Sequence, residues 1–444
     1  MRVSRGLAIA ACAALVAALT GCGGDKAAGD TSTPTQVRLY GTDGNMSNSF
    51  GEEFKEEPGT LAGMKGTTPM TQLSEDFKHR LHQVRPDLND YTYAGESYDA
   101  VVISALAAQL AGTTKPPQIA KYINGVTQGG ERCDAVAQCL TLARAGRDIE
   151  YRGVSLTRAG FTPAGEPSTA TYATLHFGRD DRLDDGKTEF LGAGDAAGAA
   201  GGKGPAPAKG SPGRSGAPLK IGGLLPQTGD LSLMYPPMST AAELAIKEIN
   251  AAGGVLGEKV VWLPGDDGTN PEVARATVSR QIDEGVHVLI GAGASSISKA
   301  VLDQTVAAGV VLFSPCNTAA FLSTAQDDGL YFRTAPSDNL QGKALADVMM
   351  RDGVRKITIV ARDDDYGKGL QANVASELGN VGITPDQIKQ VTYTPPEDSK
   401  TPLDFFSAAG DIKDWGPDAV LVIGFAESAQ VIKALTRAGI SLQH

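Results

Sequence analysis

The chain has 444 residues, a formal net charge of -11 and an isoelectric point near 5.1. So acidic a balance argues against nucleic acid or an anionic lipid face as a partner. With five histidines and no CxxC, HExxH or clustered ligand set, neither a metal nor another cofactor is expected.

Arg2 and Arg5 give a basic start, and Leu7 to Leu19 form an apolar run too short to span a bilayer comfortably. Leu19-Thr20-Gly21-Cys22 then resembles the lipobox of bacterial lipoproteins. That resemblance implies cleavage before Cys22 and lipidation of its thiol. Residues 1–22 are thus read as a lipoprotein signal, with an ordinary secretory signal as the alternative. Residues 23–36 read as a polar tether. No second apolar stretch is long enough to cross a membrane.

Cys133 and Cys139 lie six apart, and outside the cytoplasm such a pair can close a small ring at a helix start. Two reduced thiols in a helix are the alternative. Residues 193–217 are nearly all Ala, Gly, Pro and Ser and read as a flexible linker.

From 218 onward strands and helices alternate. LKIGGLLP is a strand, STAAELAIKEINAAGG a helix stopped by glycine, VVWLPGDD a strand, and NPEVARATVSRQIDEG a helix with proline in its first turn. VHVLIGAG, a serine-capped helix from Ser296, VVLFSP, KITIVARDD and DAVLVIGF continue the series. Continuous Val/Ile/Leu strands between amphipathic helices imply parallel sheets covered on both faces. The helix ESAQVIKALTRAG is followed by no further βα unit, whereas VRLYG at 37–41 is a strand with no preceding helix. Read as 218–444 followed by 37–190, the alternation is unbroken.

In that order IGGLLPQTGDLS, AIKEINAAGGVLG, VLIGAGASS, LFSPCNT, DDDYGKGL, DAVLVIGFAESAQ, YGTDGNMS, ESYDAV and CDAVAQCLTLARAGRDIEYRGVS resemble segments of type I periplasmic binding proteins of the branched-chain amino acid ABC-transporter family. The resemblance implies an α/β fold of two doubly wound parallel-sheet lobes joined by a hinge, here circularly permuted. Residues 37–192 would be the C-terminal half of that fold, with 37–70 in lobe II, 71–147 mainly in lobe I and 148–192 mainly in lobe II. Residues 218–444 would be the N-terminal half, with 218–338 in lobe I and 339–444 in lobe II.

The resemblance also implies a site. Ser295, at the start of a helix after VHVLI, would hold a ligand carboxylate; a plain N-cap is the alternative. The backbone of Cys316 and the hydroxyl and amide of Thr318 would add carboxylate and ammonium contacts, against a proline-containing turn with a capping threonine. Asp43 would take the ammonium group, although Asp-Gly is also a common turn. Tyr366 and Phe425 would cover the ligand, and Tyr235 and Tyr93 fall near two further wall positions; each could instead be a core aromatic.

The implied activity is binding without chemistry. A monomeric, extracytoplasmic, lipid-anchored protein would capture a small amino acid between closing lobes and pass it to an ABC permease. Signalling to a membrane receptor, or binding an amide or small aromatic acid, are the alternatives. A Rossmann-type enzyme is disfavoured because GxGxxG, GxxxxGK[ST] and GxSxG are absent.

Overall fold

The computed structural model describes residues 36–199, 204–208, 217–396 and 401–442. The signal, Cys22 and nearly all of the 23–36 tether lie outside these residues.

Two sheets organise the chain. Lobe I is built on five parallel strands in the order Tyr331–Arg333, Val311–Ser314, Val288–Gly291, Lys220–Leu224, Val261–Leu263. Lobe II carries Ile388–Tyr393, Ile357–Arg362, Ala419–Ile423, Gln36–Gly41, Lys65–Pro69, Thr169–His176 and Glu189–Gly194 in that order. The first five of these run parallel. The last two are antiparallel, so this sheet is mixed rather than wholly parallel. The short strand Ser441–Leu442 pairs in parallel with Gln36 and Val37, so the two ends of the described chain meet in one sheet.

Both halves of the chain furnish both lobes. The helices Tyr235–Ala251, Pro271–Asp283 and Ser295–Ala307 come from the same half as the lobe I strands. The helix Ala94–Ala111 comes from the other half and is buried from Ala94 to Leu110. Its apolar residues pack with Val288, Ile290, Val311 and Phe313 of the lobe I sheet and with the helix Tyr235–Ala251. A helix that is apolar on every side must be enclosed on every side.

Several boundaries differ from the sequence reading. The helix placed at Ser239 begins at Tyr235, because Pro236 and Pro237 occupy its first turn, where no N–H partner is needed. The helix placed at Ser296 begins at Ser295, with Ala294 at the N-cap position and no side-chain cap. Residues 149–161, assigned mainly to lobe II, pack in lobe I. There Asp99 accepts hydrogen bonds from Tyr151 Oη and from the N–H groups of Val154 and Ser155. Chain crossings between the lobes fall near residues 70–74, 162–168 and 334–337.

The stretch read as a flexible linker is partly ordered. Residues 193 and 194 end a strand, and Ala196–Ala199 form a 3-10 turn. Residues 204–208 lie along lobe I helices: Ala208 N donates to Leu110 O at 2.9 Å and Tyr122 Oη to Ala206 O at 3.1 Å. A Cβ on Gly204 would sit 2.7 Å from Gly125 Cα, so glycine permits this close backbone approach. The Cys133–Cys139 disulfide is formed, with Cα atoms 5.4 Å apart, and it ties a short strand to the first turn of the helix Val136–Arg144.

Candidate functional site

In open parallel sheets, ligand sites lie beyond the carboxyl ends of strands, where the strand order reverses. In lobe I that point is between Lys220–Leu224 and Val288–Gly291; in lobe II it is between Ile357–Arg362 and Ala419–Ile423. Loops from both points converge on one small cavity, lined by Asp43, Gly44, Tyr93, Leu231, Met234, Gly293, Ala294, Ser295, Cys316, Thr318, Tyr366 and Phe425. It brings together every residue proposed from the sequence except Tyr235. Met234 ends a 3-10 turn and lines the cavity, whereas Tyr235, the next residue, is turned aside and half-buried.

Lobe I contributes the start of the helix Ser295–Ala307. The first N–H groups of a helix lack internal partners and carry the positive end of its dipole. Here no side chain caps them. Ser295 Oγ accepts from Ala319 N at 3.2 Å and so links two cavity loops. Asn317, which the sequence reading missed, fastens them further: its Nδ2 donates to Ala292 O and Gly293 O at 3.0 and 2.8 Å. Asp267 takes Gly293 N at 2.7 Å. The N–H of Cys316 already donates to Ser314 Oγ at 3.2 Å, and its thiol is free and buried. Behind this loop the fully buried guanidinium of Arg333 pairs with Glu166 and donates to Asn317 O and Ala319 O.

Lobe II supplies the negative pole. Asp43 opens the 3-10 turn Asp43–Asn45 directly after the strand Gln36–Gly41. Asp-Gly here forms a turn, and the Asp43 side chain lies at the cavity. Asn45 secures the turn by donating to Val422 O at 3.0 Å and accepting from Thr42 N at 2.8 Å. Gly44 lies against Gly424, where a Cβ would come within 2.4 Å of a carbonyl oxygen.

The Asp43 carboxylate is 4% exposed. It accepts from Tyr93 Oη at 2.8 Å, Tyr366 Oη at 2.9 Å and Gln341 Nε2 at 2.7 Å. Burial pushes it above the usual carboxylate range, and these three bonds partly offset the rise. Tyr93 holds a left-handed backbone, with φ of 60°, at the start of the helix Ala94–Ala111. Gln341 was another residue the sequence did not reveal.

Tyr366 and Phe425 stack, with centroids 5.4 Å apart and planes 18° from parallel. Arg362 lies 3.8 Å over the Phe425 ring and donates to Asp364 and Glu427. It also reaches across the cleft to Asp230 of lobe I, 4.0 Å away. Nearby, Ala426 N donates to Asp230 O at 3.2 Å. At the rim Lys299 meets Asp365 at 2.8 Å. These bonds hold the lobes against each other around the cavity. No Lys, Arg or His lines it, and among the described residues no group of three His, Cys, Asp or Glu side chains is arranged to hold a metal.

The arrangement offers helix N–H groups and hydroxyls on one wall, a buried carboxylate on the other, and apolar surface from Leu231, Met234, Tyr366 and Phe425 between them. It lacks a nucleophile–base pair; the only thiol on its wall, that of Cys316, is held well above its ordinary pKa by burial.

Known proteins resemble parts of this chain. A family model described as periplasmic binding protein matches residues 218–444. The chain is 29% identical over 225 residues to the Leu/Ile/Val-binding protein homolog 3 of Brucella melitensis, covering 50% of this chain and 58% of that one. It is 34% identical over 140 residues to the Leu/Ile/Val-binding protein of Citrobacter freundii, covering 31% and 38%. The chain thus aligns with about half the length, or less, of the curated relatives it matches. A branched-chain amino acid transporter substrate-binding protein from Streptococcus pneumoniae, solved with isoleucine, matches 51% of this chain and 63% of its own at 25% identity and a TM-score of 0.43. Because the family model takes in just over half of its residues, this chain belongs to the periplasmic binding protein family, whose members bind substrates rather than transform them.

Proposed function

We propose that the protein captures a small amino acid, of aliphatic or branched-chain type, and delivers it to an ABC permease. The observation that carries this reading is the polarity of the cavity: Asp43 faces it from lobe II, while Ser295, Thr318 and an uncapped helix start face it from lobe I. A zwitterion needs both poles, and an apolar side chain needs the wall between them. The names of the Brucella and Citrobacter relatives support the same ligand class. In this reading Ser295 and Thr318 hold the ligand first, and Asp43, Tyr366 and Phe425 engage on closure. The ligand favours the shut state only by the contacts it gains there.

Anchoring through a lipidated Cys22 on the outer side of the cell membrane, a monomeric state, and a circularly permuted order relative to relatives belong to the same proposal. The permuted order is supported by the parallel pairing of Ser441–Leu442 with Gln36–Val37, which joins the two ends of the βα alternation in one sheet.

A thermal-shift screen of the common amino acids, followed by calorimetry, tests the ligand class. A neutral aliphatic amino acid should raise the melting temperature and shrink the radius of gyration in solution scattering. No response to any amino acid would overturn the reading.

A further inference from the structure

Asp338 is the first residue of the helix Asp338–Arg351, where the chain enters lobe II. It is fully buried, and neither carboxyl oxygen has a hydrogen-bond partner. Three residues on, Gln341 donates to Asp43 Oδ1, so Asp338 and the Asp43 carboxylate share one side of this helix. Thr318 O accepts the N–H of Asp338 at 2.7 Å. The Thr318 hydroxyl lies beside the Asp338 carboxyl but outside hydrogen-bonding geometry.

The other titratable and charged groups facing Asp338 are Asp43 from the turn after Gln36–Gly41, Tyr366 from the helix Asp365–Asn380, Tyr172 from the strand Thr169–His176 and Arg333 from the strand Tyr331–Arg333. Among the described residues Arg333 is the one cation facing it, and its donors are committed to Glu166, Ser323, Asn317 O and Ala319 O. Two carboxyls buried together without a cation between them resist double ionisation. Burial accordingly pushes both up from the ordinary carboxylate range.

We propose that Asp43 and Asp338 share one proton before a ligand arrives, and that the ammonium group of a zwitterionic ligand displaces it. The inference rests on the amino-acid reading above. The proton passes to the buffer while the cleft is open. The pair changes from one negative charge to two, and the ammonium charge compensates the added one. No other bond is made or broken. The site thereby selects a ligand with a cationic nitrogen and no second anion.

Calorimetry with leucine, isoleucine, valine, alanine and threonine, near neutral pH in phosphate and in Tris, tests this on the full chain. The binding enthalpy of whichever amino acid binds should differ between the buffers, reporting release of up to one proton. Asp338→Asn should bind the same ligand within about tenfold, with that difference abolished. Wild-type binding with equal enthalpy in both buffers overturns the proton displacement and leaves the amino-acid site standing. A difference that persists in Asp338→Asn overturns the role of Asp338. Absence of saturable binding by all of these amino acids overturns both the inference and the reading beneath it.

Discussion

In the proposed function, recognition turns on the side chain of Asp43. It is buried, it accepts three hydrogen bonds from neutral donors, and among the described residues no cation touches it, so a ligand ammonium would be its first full counter-charge. A charged hydrogen bond of this kind contributes about 1.5–3 kcal/mol. Asp43→Ala should therefore weaken amino-acid binding by roughly tenfold to a hundredfold, read by calorimetry. An unchanged dissociation constant would remove Asp43 from the ammonium site. This residue was legible in the sequence because it follows an apolar strand and sits in a family-like YGTDGN segment. Gln341, Asn317 and Asp338 were not. A polar residue on a helix or in a loop has the same local appearance whether it meets water or another buried polar group, and only the tertiary pairing reveals which.

At the scale of elements, the alternation of apolar strands with amphipathic helices was readable over most of 218–444, because strand burial on both faces leaves a continuous apolar signature. The antiparallel end of the lobe II sheet was hidden. Glu189–Gly194 lies at the sheet edge with Phe190 and Leu191 about 40% exposed, and its Gly/Ala-rich end merges with the linker composition. Two buried acids sit at element ends in lobe I. Glu96, in the first turn of Ala94–Ala111, is raised by burial to about 8, and Asp267, which secures the loop before Ser295, to about 7. The sign follows directly. The folded chain keeps protons on these groups that the unfolded chain gives up, so stability falls as pH rises from roughly 4.5 towards 8. Glu96→Gln removes one of these groups, and its melting temperature should fall less steeply than that of the wild type across this window. Parallel curves would place the pH dependence elsewhere.

For the molecule as a whole, the apposed lobes are joined by the cavity and by a small set of bonds across the cleft. The Asp230–Arg362 pair is buried, whereas Lys299–Asp365 is largely exposed and screened by solvent. The inner pair should therefore govern closure. Asp230→Ala leaves Arg362 bonded to Asp364 and Glu427, so the cation is not stranded. This variant should show a larger radius of gyration in ligand-saturated scattering and an affinity lower by about tenfold. Lys299→Ala should change either quantity little, and an equal effect of the two substitutions would mean that burial does not rank these contacts.

Cys316 sits in the cavity wall and is 6% exposed. If the lobes open and close as proposed, a small alkylating reagent would reach its sulfur when the cleft gapes, and the labelling rate would be a built-in clock for how often the jaws part. Followed by mass spectrometry of the peptide that contains it, the clock should slow as an amino acid saturates the protein. A rate indifferent to ligand would mean that the sulfur is reached by some route other than the cleft.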